Sequence, residues 1–152
     1  MLIREAQNQD IDQLMAIEEL CYDHPWPREA FEEEIEQADI GAGIVAEDEG
    51  LLVGFLTGMM VAHEFHLHNM AVHPDFRGRG IGRELLAAVE SMCREKDIVR
   101  ILLEVREDNE IARHLYLSMG FESVGTRKDY YGPGRDAYLY SKRLKPESEP
   151  GS

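Results

Sequence analysis

This sequence has little positive charge to set against its negative charge. Its 16 Lys and Arg stand against 30 Asp and Glu, a formal net charge of −14. That balance argues against a surface that grips nucleic acid through phosphates, and it suits a cationic partner such as an amine or a basic peptide. Long apolar runs are missing as well. No stretch of about eighteen apolar residues occurs, so no membrane association is expected. The opening Met1-Leu2-Ile3-Arg4-Glu5-Ala6 lacks the apolar segment of a signal peptide, which makes a cytoplasmic location the expectation. There are two cysteines, Cys21 and Cys93, both at apolar helical positions. They could pair, but reduced core thiols are the expected state, and no zinc spacing involves them.

What remains is an ordinary globular composition, 43% hydrophobic over 152 residues. It suits one domain with one core, spanning residues 1–144. A polar tail, 145–152, is expected to be disordered, and its final Gly-Ser reads as a cloning remnant. A monomer is expected. No internal repeat or linker appears.

Three of the 12 arginines, Arg77, Arg79 and Arg83, fall within one short stretch, His73-Pro74-Asp75-Phe76-Arg77-Gly78-Arg79-Gly80-Ile81-Gly82-Arg83-Glu84. An apolar strand ends at Pro74, and an amphipathic helix begins at Ile81. A loop of alternating Gly and Arg before a helix leaves backbone N–H groups free, adds the positive end of the helix dipole, and reads as an anion cradle. It is not a P-loop, because Arg83-Glu84 stands where Lys-Ser/Thr is required. The dinucleotide fingerprint fits poorly too: the glycines are spaced 1-3-5, and Arg83 takes the third glycine's place. Arg-x-x-Gly-x-Gly, met by Arg77, Gly80 and Gly82 after Val-x-Pro, is the pattern left, beside an ordinary Gly-rich turn.

Along the chain, Leu2–Ala6 reads as a strand. Ile11, Leu14, Met15, Ile17 and Cys21 follow at helical spacing, with Asp10 and Gln13 resembling a capping box. Asp23-His24-Pro25-Trp26-Pro27 breaks that helix. A second follows with the stripe Phe31, Ile35 and Ala38, and its run of Glu reads as a solvated face. Gly41–Gly43 is expected to turn. Ile44–Ala46 and Leu51–Ala62 form a hairpin through Asp48-Glu49-Gly50. The next strand, Glu64–Val72, has Leu67, Asn69 and Ala71 on one parity and His66, His68 and Met70 on the other. Ile81, Leu85, Ala88, Val89, Met92 and Cys93 mark the helix after the loop. Ile98–Val105 reads as a central strand covered on both faces. Asn109 caps a helix bearing Ile111, Ala112, Leu115, Tyr116 and Met119, with Gly120 at its C′ position. Phe121–Gly125 and Ala137–Leu144 are the last strands. The order β-α-α-β-β-β-α-β-α-β-β predicts an α/β (α+β) domain.

The Gly/Arg loop, then Leu103-Glu104-Val105-Arg106, Asn109, Ala112, Leu115-Tyr116 and Gly120-Phe121, resemble the GNAT superfamily of N-acetyltransferases over nearly the whole chain. Pro25-Trp26-Pro27 with Phe31, Tyr130-Tyr131 and Asp136-Ala137 resemble the bacterial subfamily that acetylates the N-terminal alanine of a small-subunit ribosomal protein (protein 18). Asp129 departs from it, since Asn often precedes the paired tyrosines there. The resemblance implies the GNAT fold: a mixed sheet of six to seven strands, about four flanking helices, and a splayed central strand pair. It implies acetyl-coenzyme A as co-substrate and no metal. Met70, Ala71, Val72, Arg77, Gly78, Arg79, Gly80, Ile81, Gly82 and Asn109 would contact the cofactor, with a main-chain N–H near Met70 polarising the thioester. Glu104 would be the base and Tyr116 the acid for the departing thiol. Trp26, His68, Tyr130 and Tyr131 would meet the substrate, a peptide or protein N-terminus.

Each of these residues also has a plainer reading. Glu104 would have a raised pKa if dry, but a strand-end Glu can simply pair with Arg106 or Arg100. Tyr116 can be core, Asn109 only a cap, and the paired tyrosines only strand packing. His63, Glu64, His66 and His68 suggest a metal, but the spacing is not His-Glu-x-x-His on a helix, and no metal is expected. An α-amino group loses its proton about 2.5 pKa units more readily than a lysine, on the order of 3.4 kcal/mol, which favours a peptide N-terminus. Lysine, a polyamine or another small amine is the alternative substrate. A coenzyme-A-binding module without turnover is the alternative of another class.

Overall fold

The computed structural model describes residues 1–36 and 41–144. The expected position Ala38 and the tail 145–152 lie outside them. The elements are β1 (Leu2–Glu5), α1 (Ile11–Cys21), α2 (Arg28–Glu36), β2 (Gly41–Asp48), β3 (Leu51–Val61), β4 (Glu64–Val72), α3 (Ile81–Glu95), β5 (Arg100–Arg106), α4 (Glu110–Ser118), β6 (Glu122–Arg127) and β7 (Ala137–Arg143). They form one seven-stranded sheet in the order β1-β2-β3-β4-β5-β7-β6. All neighbours are antiparallel except β4 and β5. This is the mixed sheet with four helices that the sequence predicts. One expectation fails at its edge: Gly41–Gly43 does not turn but pairs with Met59–Thr57 as the start of β2.

Helices cover the two faces unequally. On one, Ile81, Leu85, Leu86, Val89 and Cys93 of α3 pack on Val53, Phe65, Ile101 and Leu103. On the other, Ile11, Leu14 and Ile17 of α1 with Phe31 of α2 pack on Val45, Phe55 and Ala71. Full burial of a leucine such as Leu85 contributes about 1.5–3 kcal/mol. The second cluster does not reach β5. Ile101, Leu103 and Val105 are buried while Leu102 and Glu104 are not, so β5 is covered on one face only, contrary to the expectation of two.

The strict alternation expected along β4 is broken by a bulge. Thr57 pairs with Asn69 but Gly58 with Leu67, so His68 is the extra residue. A bulge reverses which parity faces which side. Leu67 lies in the α3 cluster and Ala71 in the α1/α2 cluster, although both are odd-numbered. His68 and Asn69 consequently both reach side chains of α1 and α2. Gly58 faces the bulge because nothing larger fits: a Cβ there would lie 2.4 Å from the His66 carbonyl oxygen and 2.5 Å from the Phe65 ring.

The second feature is a fork. β4 and β5 pair over Glu64–Leu67 and Arg100–Leu103 and nowhere further along. Beyond those residues β5 continues with β7 alone. His68 and Glu104 are the first residues past the parting on either arm, so the splayed central pair of the sequence expectation is present.

At the N-terminus, Asp10 does not act as a capping box with Gln13, whose Oε1 accepts from the Leu52 N–H instead. The Asp10 carboxylate is buried and bidentate to Arg4 at 2.8 and 2.9 Å, and it also accepts from the Gln7 N–H. The Arg4 hydrogen bonds hold its pKa below the usual aspartate value, with the Gln7 N–H adding to the effect against the penalty of burial. A depressed carboxyl stabilises the fold above its unfolded pKa, and that contribution is lost as pH falls through the folded value. Asp10→Asn is therefore expected to cost about 2 kcal/mol at pH 7. The difference from the parent should shrink as pH drops below about 4, measured by urea unfolding across pH.

Candidate active site

The loop before α3 takes its shape from its glycines. Gly78 and Gly80 have φ of 80° and 79°, the left-handed region, and Gly80 is the N-cap of α3. At Gly82 a Cβ would press to 3.0 Å from Leu115 of α4. The first-turn N–H groups of α3 have no acceptor within the helix. They line a cavity of about 650 Å³, a geometry suited to a phosphate. Arg77 and Arg83 line it as well. Arg77 donates to the Val72 carbonyl and to Cys21 Sγ, each at 3.3 Å, and Arg83 donates to Ser118 Oγ at 2.7 Å. Arg79 departs from its expected place: its guanidinium lies 4.9 Å from the centre of the Phe76 ring, outside the cavity lining.

Met70, Ala71 and Val72 form another wall of the same cavity. The Tyr22 hydroxyl donates to the Met70 carbonyl at 2.5 Å, and Cys21 Sγ to that of Val72 at 3.4 Å. A strand residue directs its N–H and C=O to the same edge. The Met70 N–H thus also points toward the parting, where no strand among the described residues takes it. Cys21 is accordingly not the core thiol expected. It is half-buried at the cavity wall, while Cys93 is buried in the core, and both are free. Asn109 Oδ1 accepts from the Ala112 N–H at 3.2 Å and so caps α4, and Asn109 also borders the cavity. Ile111, expected on the buried stripe, is 82% exposed and stands at the rim.

A second cavity, about 470 Å³, lies on the other side of the fork. Trp26, His68, Glu104, Tyr130 and Tyr131 all line it, so five residues from four distant segments meet there. Glu104 is not dry: its side chain is 27% exposed, and its ion pair is with Arg127 at 3.5 Å. Arg100 and Arg106, the partners considered from sequence, pair with Glu64 and Asp108. The Tyr130 hydroxyl is raised above its ordinary pKa, first by its hydrogen bond to Glu104. Burial is the main cause that pushes Tyr131 up to about 12. Asp129, just before the pair, sits at a φ of 55° and accepts from the Gly134 N–H at 2.7 Å, which makes it the turn residue that presents them.

Tyr116 lines neither cavity. It is buried against Phe121 and Tyr140, with ring centroids 5.6 and 6.4 Å away. Burial raises its hydroxyl well above the ordinary tyrosine value, and Tyr22 and Tyr131 add to the rise. Those neighbours border one cavity each, so Tyr116 stands between the two.

Two carboxylates that pattern could not single out support the second cavity. Glu18 of α1 is buried and accepts from Asn69 Nδ2 at 2.7 Å and from the Trp26 N–H at 2.8 Å, tying the bulge to the Trp26 loop. Burial raises its pKa, against the pull of those two donors. Glu34 of α2, expected on a solvated face, is buried instead and bonded to His68 Nδ1. Among the described residues no group of three or more His, Cys, Asp and Glu is arranged to hold a metal. No described helix is long and apolar enough to cross a membrane.

The sequence profile of the Acetyltransferase (GNAT) family matches residues 11–121. The chain is 39% identical over 121 residues to the N-alpha-acetyltransferase RimI of Mycobacterium tuberculosis, covering 76% of this chain and 74% of that one. It is 32% identical over 122 residues to the ribosomal protein bS18-alanine N-acetyltransferase of Salmonella typhimurium, covering 80% and 81%. Among solved structures, the ribosomal-protein-S18-alanine N-acetyltransferase from Escherichia coli superposes with a TM-score of 0.89 at 26% identity, over 99% of this chain and 98% of that one.

Proposed function

The chain belongs to the acetyltransferase (GNAT) family, and from that membership we propose that it carries the acetyl group of acetyl-coenzyme A to the α-amine of a protein N-terminus, the N-terminal alanine of ribosomal protein bS18 foremost. The observation that carries this reading is the pair of cavities on either side of the β4/β5 fork. One offers helix N–H groups and Arg77 and Arg83 to a phosphorylated donor. The other offers a carboxylate, Glu104, between aromatic walls to an amine.

The fit to coenzyme A is chemical. Local positive charge on a chain of net charge −14 needs a reason, and a pyrophosphate at the N-terminus of α3 supplies one. In this reading the Met70 N–H polarises the thioester carbonyl. Glu104 takes a proton from the attacking nitrogen. Tyr116, whose hydroxyl keeps its proton at neutral pH, hydrogen-bonds the departing thiolate. A thiol of pKa about 8.5 is a stronger acid than a tyrosine of about 10, so this tyrosine acts as a donor more than as a source of protons.

A peptide beginning Ala-Arg, the same peptide blocked at its N-terminus and carrying an internal lysine, and a free polyamine discriminate the alternatives. Thiol release from acetyl-coenzyme A with the first alone, with the added mass on the α-amine, is the expected result. Release only with the blocked peptide or the polyamine overturns the N-terminal reading. Tight acetyl-coenzyme A binding with no release from any of the three overturns turnover, in favour of a binding module.

A further inference from the structure

The acceptor cavity holds a second titratable pair that the reaction as described leaves unused. His68 is the bulge residue of β4, displaced from the strand ladder toward α2. Its Nδ1 is bonded to Glu34 Oε1. Glu34 is 4% exposed, and its other oxygen, Oε2, is buried with no hydrogen-bond partner among the described residues. A buried carboxylate so sparsely satisfied is costly as an isolated anion. Among the described residues the imidazole is its one charge-bearing partner, so proton uptake by His68 offsets the buried charge. The ring's other nitrogen, Nε2, has no partner among the described residues, and the side chain is 38% exposed where it lines the cavity.

From this geometry we infer that the Glu34–His68 pair is a second proton acceptor of the site: His68, fixed through Nδ1 by Glu34, takes the proton of the incoming ammonium at Nε2. The inference rests on reading the second cavity as the amine's. It divides two tasks. An ordinary imidazole lies about 1.3 pKa units below an α-ammonium, an ordinary carboxylate about 3.5, so imidazole is the better match for the first proton. The N–H bond of the ammonium breaks, and its proton goes to Nε2. The freed lone pair attacks the thioester carbon, the C–N bond forms and the C–S bond breaks. The nitrogen's second proton leaves to Glu104 as the amide forms; of the two protons so taken up, one ends on the departing thiolate sulfur and the other is released to solvent, leaving His68 and Glu104 as they began.

The surroundings of His68 act in the same direction. Its pKa is raised, first by the Glu34 hydrogen bond, against the penalty of burial, with Glu34 and Glu104 adding attraction. His66 of the same strand, and from other elements Arg127 of β6 and Tyr130 and Tyr131 before β7, face the same cavity. The Trp26 ring stands 6.3 Å from the imidazole. Glu34 is a positioning residue, acting through His68.

His68→Gln and Glu34→Gln in the full chain test the pair, each checked first for acetyl-coenzyme A binding. His68→Gln is expected to lower kcat about 100-fold at pH 7 with the peptide KM within a few-fold. The deficit should close as pH rises past the α-amine's own pKa, where the substrate arrives neutral. Glu34→Gln should move the rising limb of the pH–rate profile to lower pH, because the imidazole loses the partner that raises it, and should lower the plateau, because a weaker base remains. Nitrogen-15 NMR of the imidazole should show the same downward shift without any substrate. A deficit independent of pH, or an imidazole whose titration ignores Glu34→Gln, overturns the inference. If the parent enzyme acetylates no peptide N-terminus, the proposed substrate fails instead, a result the parent alone reveals.

Discussion

Glu104→Gln is expected to lower kcat by about 100- to 10,000-fold, the range associated with loss of a positioned general base, and to leave acetyl-coenzyme A binding unchanged. The separation follows from placement. Glu104 lines the second cavity and not the first, so the donor keeps all its contacts. Glutamine matches the size of Glu104 and can still accept from Tyr130, which preserves the wall. What it cannot do is take a proton from the attacking nitrogen. It also leaves Arg127, now 3.5 Å from the carboxylate, without its ion pair, but Arg127 is 55% exposed, and an exposed pair contributes only about 0–1 kcal/mol. Steady-state kinetics with saturating acetyl-coenzyme A, together with calorimetric binding of the cofactor, give both numbers. A kcat within threefold of the parent would remove Glu104 from the chemistry and leave the Arg127 pair as its role.

Gly58→Ala is expected to destabilise the fold by about 3 kcal/mol or more, at the severe end of overpacking. The added Cβ would meet a main-chain oxygen at 2.4 Å and the Phe65 ring at 2.5 Å. Phe65 is fully buried and cannot swing away, and the carbonyl belongs to the strand that carries the bulge. For a chain of this length the loss corresponds to a fall in Tm on the order of 10 °C, read by calorimetry. Relief can come only by moving His66 and the bulge residue beyond it, so surviving protein should lose more in acetyl transfer than in cofactor affinity. An unchanged Tm would show slack in the bulge that its geometry does not suggest.

Much of this architecture was legible because its signals are local. Ile81, Leu85, Val89 and Cys93 announce α3 by spacing alone, and the Gly/Arg loop announces the positive-φ turn that opens it beside a cavity. Gly120, placed at the C′ position of α4, has the φ of 93° that such a position demands. What pattern missed is non-local. Glu34 looks like every other Glu in its run, and its burial is decided by a histidine thirty-four residues further on. Arg127 reaches Glu104 because β6 lies beyond β7 in the sheet order, a fact of topology with no trace in spacing. The parity of β4 misled for the same reason. A one-residue bulge leaves no mark in a strand that alternates well on both sides of it, and only Gly58 on the neighbouring strand hints at it. Leu102 read as buried because leucine suits a core and an aromatic-walled cavity equally.

The fork divides the enzyme's vulnerability to mutation unevenly. On the proposed donor side, much of what would meet the cofactor is peptide backbone: helix N–H groups and an unclaimed strand edge. Any residue with a peptide group supplies these, so replacement of most side chains there preserves them. On the acceptor side the groups are side chains from separate segments, Trp26, His68, Glu104 and Tyr130, each open to replacement on its own. Substitution can therefore re-aim such a protein toward a new amine while its acetyl supply stays intact. In a selection experiment, variants with altered acceptors should accumulate changes around the second cavity long before any appear in the glycines of the first.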